Sequence, residues 1–276
     1  MTNALRPNHW NNHRTWSLML PPGRPSQVHL DYFASHLRSL GDVLQRATDV
    51  CVLGSTPELR DLCFELSCAS VTVIDRSPEF HRSVADLCIY SNPRERIVFA
   101  DWSHSLAGMD NTFDAILSDL TLGNVPYSER SSFFAGISGA LRTHGIYVDK
   151  VLTADKLQTL EDLDERYRYA PLNLITINDF ANDYFFLSEL ISNGRLSIPR
   201  ILPLLKDRFR NQPRLGRLLD EAVCLVTPHG EWHYGLPWSE VSQTYGFGLE
   251  MTNCTPESRP SVFAGQLHLH SFKKAI

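Results

Sequence analysis

Four residues able to do chemistry, Gly54, Asp75, Asp101 and Asp119, each follow a short apolar run. The runs V-C-V-L, V-T-V-I, R-I-V-F-A and F-D-A-I-L-S have the length and continuity of strands covered on both faces. In open parallel sheets a ligand binds beyond the carboxyl ends of the strands, where strand order reverses. A glycine at such an end lets backbone approach a ligand, and an acid about twenty residues later can accept hydrogen bonds from ribose hydroxyls.

The elements that must position these residues follow from the same pattern. After the first strand, S-T-P-E starts a helix that runs to about Ala69. Thr56 before Pro57 fits an N-cap with proline at the first helical position, and Ser55 with Glu58 alternatively fits a capping box. Strands are expected over 71–75, 96–100, 113–119 and 145–152, with helices from Ser77 to about Ile89 and over 128–141. This regular alternation implies right-handed crossovers and a parallel sheet. Beyond Leu152 the pattern changes to amphipathic helices over 154–169, 179–192, 198–209 and 213–223, and the chain ends in two strands, 247–254 and 262–272. The expected fold class is α/β: a Rossmann-like, mostly parallel seven-stranded sheet with an antiparallel C-terminal strand, plus a helical cap or insertion. The expected parts are an N-terminal strap or lid (1–48), a nucleoside-binding core (49–152), a helical substrate cap (153–245) and C-terminal antiparallel strands (246–276).

On these residues the chain resembles the class I S-adenosylmethionine-dependent methyltransferases. The resemblance covers about 50–152, and the tail extends it. It implies S-adenosylmethionine as cofactor, with the methionine part at Gly54, Ser55 and Thr56, ribose at Asp75 with its neighbour Arg76, and adenine at Asp101 and Trp102. The segment S-D-L-T-L-G-N-V-P is similar to the family's substrate-facing motif and would put Asp119 and Leu120 beside the sulfonium, with Asp119 in the catalytic centre. The family's G-x-G-x-G is here G-S-T-P-E, so only Gly54 remains and Glu58 brings a negative charge to the turn. No N-P-P-Y or D-P-P-Y follows the fourth strand. The implied acceptor is therefore a small molecule with an oxygen, nitrogen or sulfur nucleophile, methylated by in-line displacement.

A compensating contact could come from the leader H-W-N-N-H-R-T-W-S-L-M-L-P-P-G-R-P-S, whose prolines should fix an extended path. In this reading it lids the cofactor pocket, Arg24 pairs the methionine carboxylate, and Trp10 and Trp16 lie nearby. Aromatic faces at Trp16, Trp102 and Tyr127 could stabilise a sulfonium. Candidate bases for an acceptor are His104, His233 and, around the latter, His229, Glu231 and Tyr234. A metal reading of H-G-E-W-H is disfavoured, since it is not H-E-x-x-H and Pro228, Gly230 and Gly235 oppose a helix. His268 and His270 alternate along a strand and share a face.

Composition bounds these readings. The 276 residues carry a net charge of -5 and no basic run long enough to follow a phosphate backbone, which argues against nucleic acid. The basic residues between Arg195 and Arg217 read as a solvated helical face, with a surface facing an acidic substrate as the alternative. Six cysteines without a C-x-x-C pair read as core residues in a reducing compartment, and no segment is long enough to span a bilayer, so the expected location is the cytoplasm, with no membrane partner. The oligomeric state stays open, a homodimer included. Two other functions stay open: a methyltransferase-like binding or regulatory protein without catalysis, and an NAD-dependent oxidoreductase, which would need the absent G-x-G-x-x-G.

Overall fold

Strand burial sets the layers of the structure. The computed structural model describes residues 13–153, 157–191, 194–226, 230–233, 237–246, 248–256 and 267–275. Helices α1 (His13–Leu18) and α2 (Gln27–Leu44) come first, followed by β1 (Asp49–Leu53), α3 (Pro57–Glu65), β2 (Ser70–Asp75), α4 (Pro78–Ala85), β3 (Glu95–Phe99), α5 (Trp102–Leu106), β4 (Phe113–Asp119), α6 (Arg130–Ala140) and β5 (Leu141–Leu152). The remaining elements are α7 (Leu160–Tyr167), α8 (Leu174–Ala181), β6 (Leu196–Ser197), α9 (Ile198–Arg208), α10 (Pro213–Ala222), β7 (Glu231–Trp232), α11 (Trp238–Thr244), β8 (Leu249–Pro256) and β9 (Leu267–Lys274).

Side chains alternate across a strand, and β1 sends Val50 and Val52 to one face and Cys51 and Leu53 to the other. Val50 and Val52 pack with Phe33 and Leu37 of α2 and Leu59 and Cys63 of α3. Cys51 and Leu53 pack with Phe133, Phe134 and Ile137 of α6. Helices thus cover both faces, which is why these strands read as continuous apolar runs. The seven strands lie in the order β3-β2-β1-β4-β5-β9-β8. The pairs among β1 to β5 are parallel, whereas β9 is antiparallel to both β5 and β8. The chain leaves β1 in one direction for β2 and β3 and returns to its other side with β4, so strand order reverses between β1 and β4. This is the sheet expected from the sequence, including the antiparallel ending.

Several boundaries differ, each for a local reason. The helix after Gly54 stops at Glu65, short of Ala69, because Ser67 turns left-handed at φ 54° and the Cys68 amide donates to the Cys63 carbonyl. The next helix stops at Ala85, short of Ile89, where the Asp61 carboxylate captures the amides of Ile89 and Tyr90. The leader is not extended as a whole: α1 lies within it, and its last residue, Ser26, closes a reciprocal cap with His29 at the start of α2. Helix α2 was missed because its cap partner is a histidine where glutamate or glutamine is usual. Trp10 and the turn over 257–266 lie outside the described residues.

Helices α7 to α10 have a separate core, in which Tyr167, Phe180, Tyr184 and Phe209 meet edge to face or tilted. Two acids fasten it. Asp183 accepts hydrogen bonds from Tyr167 Oη at 2.7 Å, Gln158 Nε2 at 2.9 Å and Arg166 Nη1 at 2.5 Å, while Asp164 accepts from Tyr184 Oη and Arg208 Nε. The helix expected over 179–192 is instead the end of α8 followed by a π-helical turn at Asn182–Phe186. No helix among the described residues is long and apolar enough to cross a membrane.

On the α6 face, Asp149 of β5 and His270 of β9 are cross-strand neighbours, both fully buried. Tyr245 donates to Asp149 at 3.0 Å and sets its ring edge-on to His270. Burial pushes the Asp149 carboxyl up to about 7 from 3.8 and the His270 imidazole down to about 3 from 6.5. A raised folded-state pKa gives stability that is lost as pH climbs through it, and a depressed histidine gives stability that is lost as pH falls, so the two oppose each other across the acid range. Asp149→Asn removes the first effect. The variant is expected to resist urea better than the parent above pH 7 and to show a steeper rise in stability between about pH 4 and 6.5. Urea midpoints across pH check this, and parallel profiles for the two proteins would refute it.

Candidate active site

The first turn is built by β1 and β2 together. Gly54 sits at φ 95°, a left-handed conformation that favours glycine, and its amide donates to the Ile74 carbonyl at 2.8 Å. The chain then enters α3 with Pro57 in its first turn. Thr56 is the residue before the helix but makes no side-chain cap. Ser55 does not close a capping box with Glu58; its Oγ lies 3.0 Å from His81 Nδ1.

Asp75 at the end of β2 joins this turn to the next. Its Oδ2 accepts from the Ser55 amide at 2.9 Å and its Oδ1 from the Ser77 amide at 2.8 Å. Burial pushes this carboxyl up, against the pull of those hydrogen bonds. A carboxylate has about four lone-pair sites, so Asp75 keeps acceptor capacity on both oxygens. Trp102 donates its indole N–H to the Ile74 carbonyl at 2.7 Å, which stands the ring beside Gly54.

Asp119 and Lys150 end β4 and β5 as cross-strand neighbours. Lys150 has no exposed side-chain surface. Its ammonium lies 2.5 Å from Asp119 Oδ1 and donates to the Pro22 carbonyl at 2.8 Å. The leader is fixed at a second point by Asn178 of α8, which accepts from the Leu20 amide and donates to the Leu18 carbonyl. At a third point Trp16 donates to Glu58, whose carboxyl burial pushes up, with Arg24 3.8 Å from the same oxygen.

These contacts enclose a cavity of about 1320 Å³, its open mouth included. Its sheet side presents Gly54, Ser55, Thr56, Asp75, Trp102 and Asp119, with Arg76 and Leu120 beside them. Eight of the twelve predicted site residues therefore meet in one wall. The leader contributes Trp16, Met19, Pro22 and Gly23, and the helical cap contributes Asn178, Asn182, Phe186 and Trp232.

The other four predicted residues lie elsewhere. Asp101 caps α5 through the Ser103 amide and faces Arg76 and His104 at 3.7 and 3.5 Å. His104 is 79% exposed and does not reach the cavity wall, because its short helix turns it outward past Asp101. His233 is also off the wall: Arg130 holds its carbonyl, its amide donates to Gly123, and its ring packs edge-on to Tyr127. Arg24 pairs with Glu58 and is not in the wall. Of the other proposed bases, Glu231 pairs with Arg195, while His229 and Tyr234 lie outside the described residues. Among the described residues no group of three or more His, Cys, Asp or Glu side chains could hold a metal ion.

No family model and no curated protein matches the chain. Solved structures do match. A protein described as a zinc-dependent alcohol dehydrogenase from Rhodobacter sphaeroides aligns at TM-score 0.58 and 15% identity, over 95% of each chain. A S-adenosylmethionine-dependent methyltransferase from Methanosarcina mazei aligns at TM-score 0.49 and 14% identity, over 83% of this chain and 93% of that one. A Burkholderia thailandensis 1,6-didemethyltoxoflavin-N1-methyltransferase aligns at 0.48 and 12%, over 87% and 76%. An NAD-binding Rossmann sheet runs 3-2-1-4-5-6, whereas here the sixth position is taken by the last strand, antiparallel to its neighbours. The chain has a Rossmann-like, mostly parallel seven-stranded sheet with an antiparallel C-terminal strand. At these identities the likeness concerns architecture, and activity must be argued from the site.

Lys150→Met leaves the buried Asp119 without its cation and the leader without one anchor. A loss of about 3–5 kcal/mol is expected, with faster amide exchange over 19–26. Adding Asp119→Leu should recover most of the stability. Urea unfolding and hydrogen exchange measure both; a single variant as stable as the parent would remove this pair from the account.

Proposed function

We propose that this protein transfers the methyl group of S-adenosylmethionine to an oxygen, nitrogen or sulfur atom of a small molecule. The observation that carries the reading is the convergence of the Gly54 turn, Asp75, Trp102 and Asp119 on one cavity at the reversal point of the sheet. When bound, the cofactor supplies a methyl group already activated by its sulfonium. The protein's work is then to bind, align and exclude water.

In this reading Asp75 takes the ribose hydroxyls on lone pairs left free by the Ser55 and Ser77 amides. Trp102 and Arg76 flank the base, with Asp101 steadying Arg76 from outside the wall. Asp119 faces the reacting sulfur, its charge already matched by Lys150. The leader, tied down at Pro22, Leu20 and Trp16, closes the reaction from solvent. Neither His104 nor His233 is assigned a step.

The departure from the glycine pattern also has a role here. Glu58 holds Arg24 beside the turn that would receive the methionine part, so a ligand carboxylate would have to draw Arg24 from Glu58 toward the cavity to pair with it. Glu58→Gln keeps an acceptor for Trp16 and removes the competing charge. It is expected to tighten S-adenosylmethionine binding by about threefold to tenfold, whereas Arg24→Ala should weaken it by a similar factor.

Calorimetry with S-adenosylhomocysteine and with NAD tests the whole reading. Binding of the first and not the second is expected, with a loss of about tenfold or more in Asp75→Ala. NAD binding alone would turn the assignment to a dehydrogenase, and binding of neither would leave a protein that does not use this cofactor.

A further inference from the structure

The half of the cavity away from Asp75 is walled by the cap and by the ends of β5 and β9. Leu152, Leu225 and Leu267 form aliphatic surface there, and Phe186 meets Trp232 edge to face with centroids 5.7 Å apart. The π-helical turn at Asn182–Phe186 creates this wall. A turn closed by i→i+5 bonds is wider than an α-turn. Asn182 and Phe186 reach the cavity, while Asp183, Tyr184 and Phe185 between them are buried in the cap core.

The ionisable side chains of the cavity wall, among the described residues, are Asp75, Arg76 and Asp119. Asp75 and Arg76 lie at the nucleoside end, and Asp119 is matched by Lys150. A charged acceptor entering the cap side would therefore find no opposite charge among the described residues. Leaving an ion unpaired in an apolar site costs several kcal/mol.

Hydrogen-bonding capacity is equally selective. Asn178 is fully engaged: its oxygen accepts from the Leu20 amide, and its nitrogen donates to the Leu18 and Leu174 carbonyls. Asn182, half-buried and also in the wall, makes no side-chain hydrogen bond among the described residues. Its amide offers both a donor and an acceptor to a molecule in the cap side of the cavity.

We infer that the cap side of the cavity is the acceptor subsite and takes a neutral, flat aromatic molecule, with Asn182 binding a polar substituent on its ring. The inference rests on the methyl-transfer reading for the word acceptor, but its geometry does not depend on the cofactor. Asn182 then determines specificity, and the Phe186–Trp232 pair supplies the aromatic surface.

Titration calorimetry on the full chain, saturated with S-adenosylhomocysteine, tests this with 2-naphthol and 2-naphthoate as probes. The neutral phenol is expected to bind at least about tenfold more tightly than the carboxylate. Asn182→Leu should reduce 2-naphthol affinity by about threefold to tenfold and leave S-adenosylhomocysteine affinity unchanged, which also shows that the variant folds. If S-adenosylhomocysteine binds and 2-naphthol does not, or 2-naphthoate binds as tightly, the subsite inference is overturned and the methyl-transfer reading stands. If Asn182→Leu binds 2-naphthol like the parent, Asn182 loses its role. If S-adenosylhomocysteine does not bind, the methyl-transfer reading falls, and 2-naphthol binding to the ligand-free protein decides the subsite alone.

Discussion

Lys150 carries a charge at a place with no exposed surface, and satisfying that charge ties together the parts that make the cavity. A buried ammonium without partners is disfavoured by several kcal/mol. Its partners here come from two remote places. Asp119 is supplied by parallel pairing of β4 with β5 in one register, and the Pro22 carbonyl by the return of the leader across the ends of these strands. A register slip of one residue would turn Asp119 to the other face. Sheet alignment and cavity closure are thus enforced by the same cation.

The cavity lies at the seam between two cores. One belongs to the sheet with α2, α3 and α6, and the other to α7 through α10. The leader spans the seam, with Trp16 on Glu58, Pro22 on Lys150 and Leu18 and Leu20 on Asn178. Each core can keep its packing while side chains at the seam differ, which suits a cavity polar at its Asp75 end and apolar at the other. The ion pair next to that seam matters for exchange as well. Under the proposed reading, a cationic donor and its neutral product meet a nearly neutral Asp119–Lys150 pair, so the site holds the two with similar strength and the product can leave.

Much of this was legible in the sequence. Apolar runs ending in Gly54, Asp75 and Asp119 gave strands whose ends meet, because buried parallel strands have a strong and local signature. The antiparallel ending was legible from the two tail strands, and the run of helices after Leu152 from the change of period there. What remained hidden depended on distant partners. Lys150 reads as an ordinary polar residue at a strand end until Asp119 and Pro22 are placed beside it, 31 and 128 positions away. Asp101, His104 and His233 attracted attention by type, yet caps, surface pairing and backbone bonds account for them. The π-helical turn at Asn182–Phe186 is likewise set by burial of Asp183, Tyr184 and Phe185 together, which no helical period announces.

The tether between Leu20 and Asn178 joins residues 158 positions apart. During synthesis the leader emerges early, while its anchor on the cap is not yet made. At roughly 5–20 residues per second the ribosome needs on the order of ten seconds or more to supply it. Through that interval the strand ends that will floor the cavity lack the side of its wall that α8 supplies. Closure is therefore a late event in the life of each new chain.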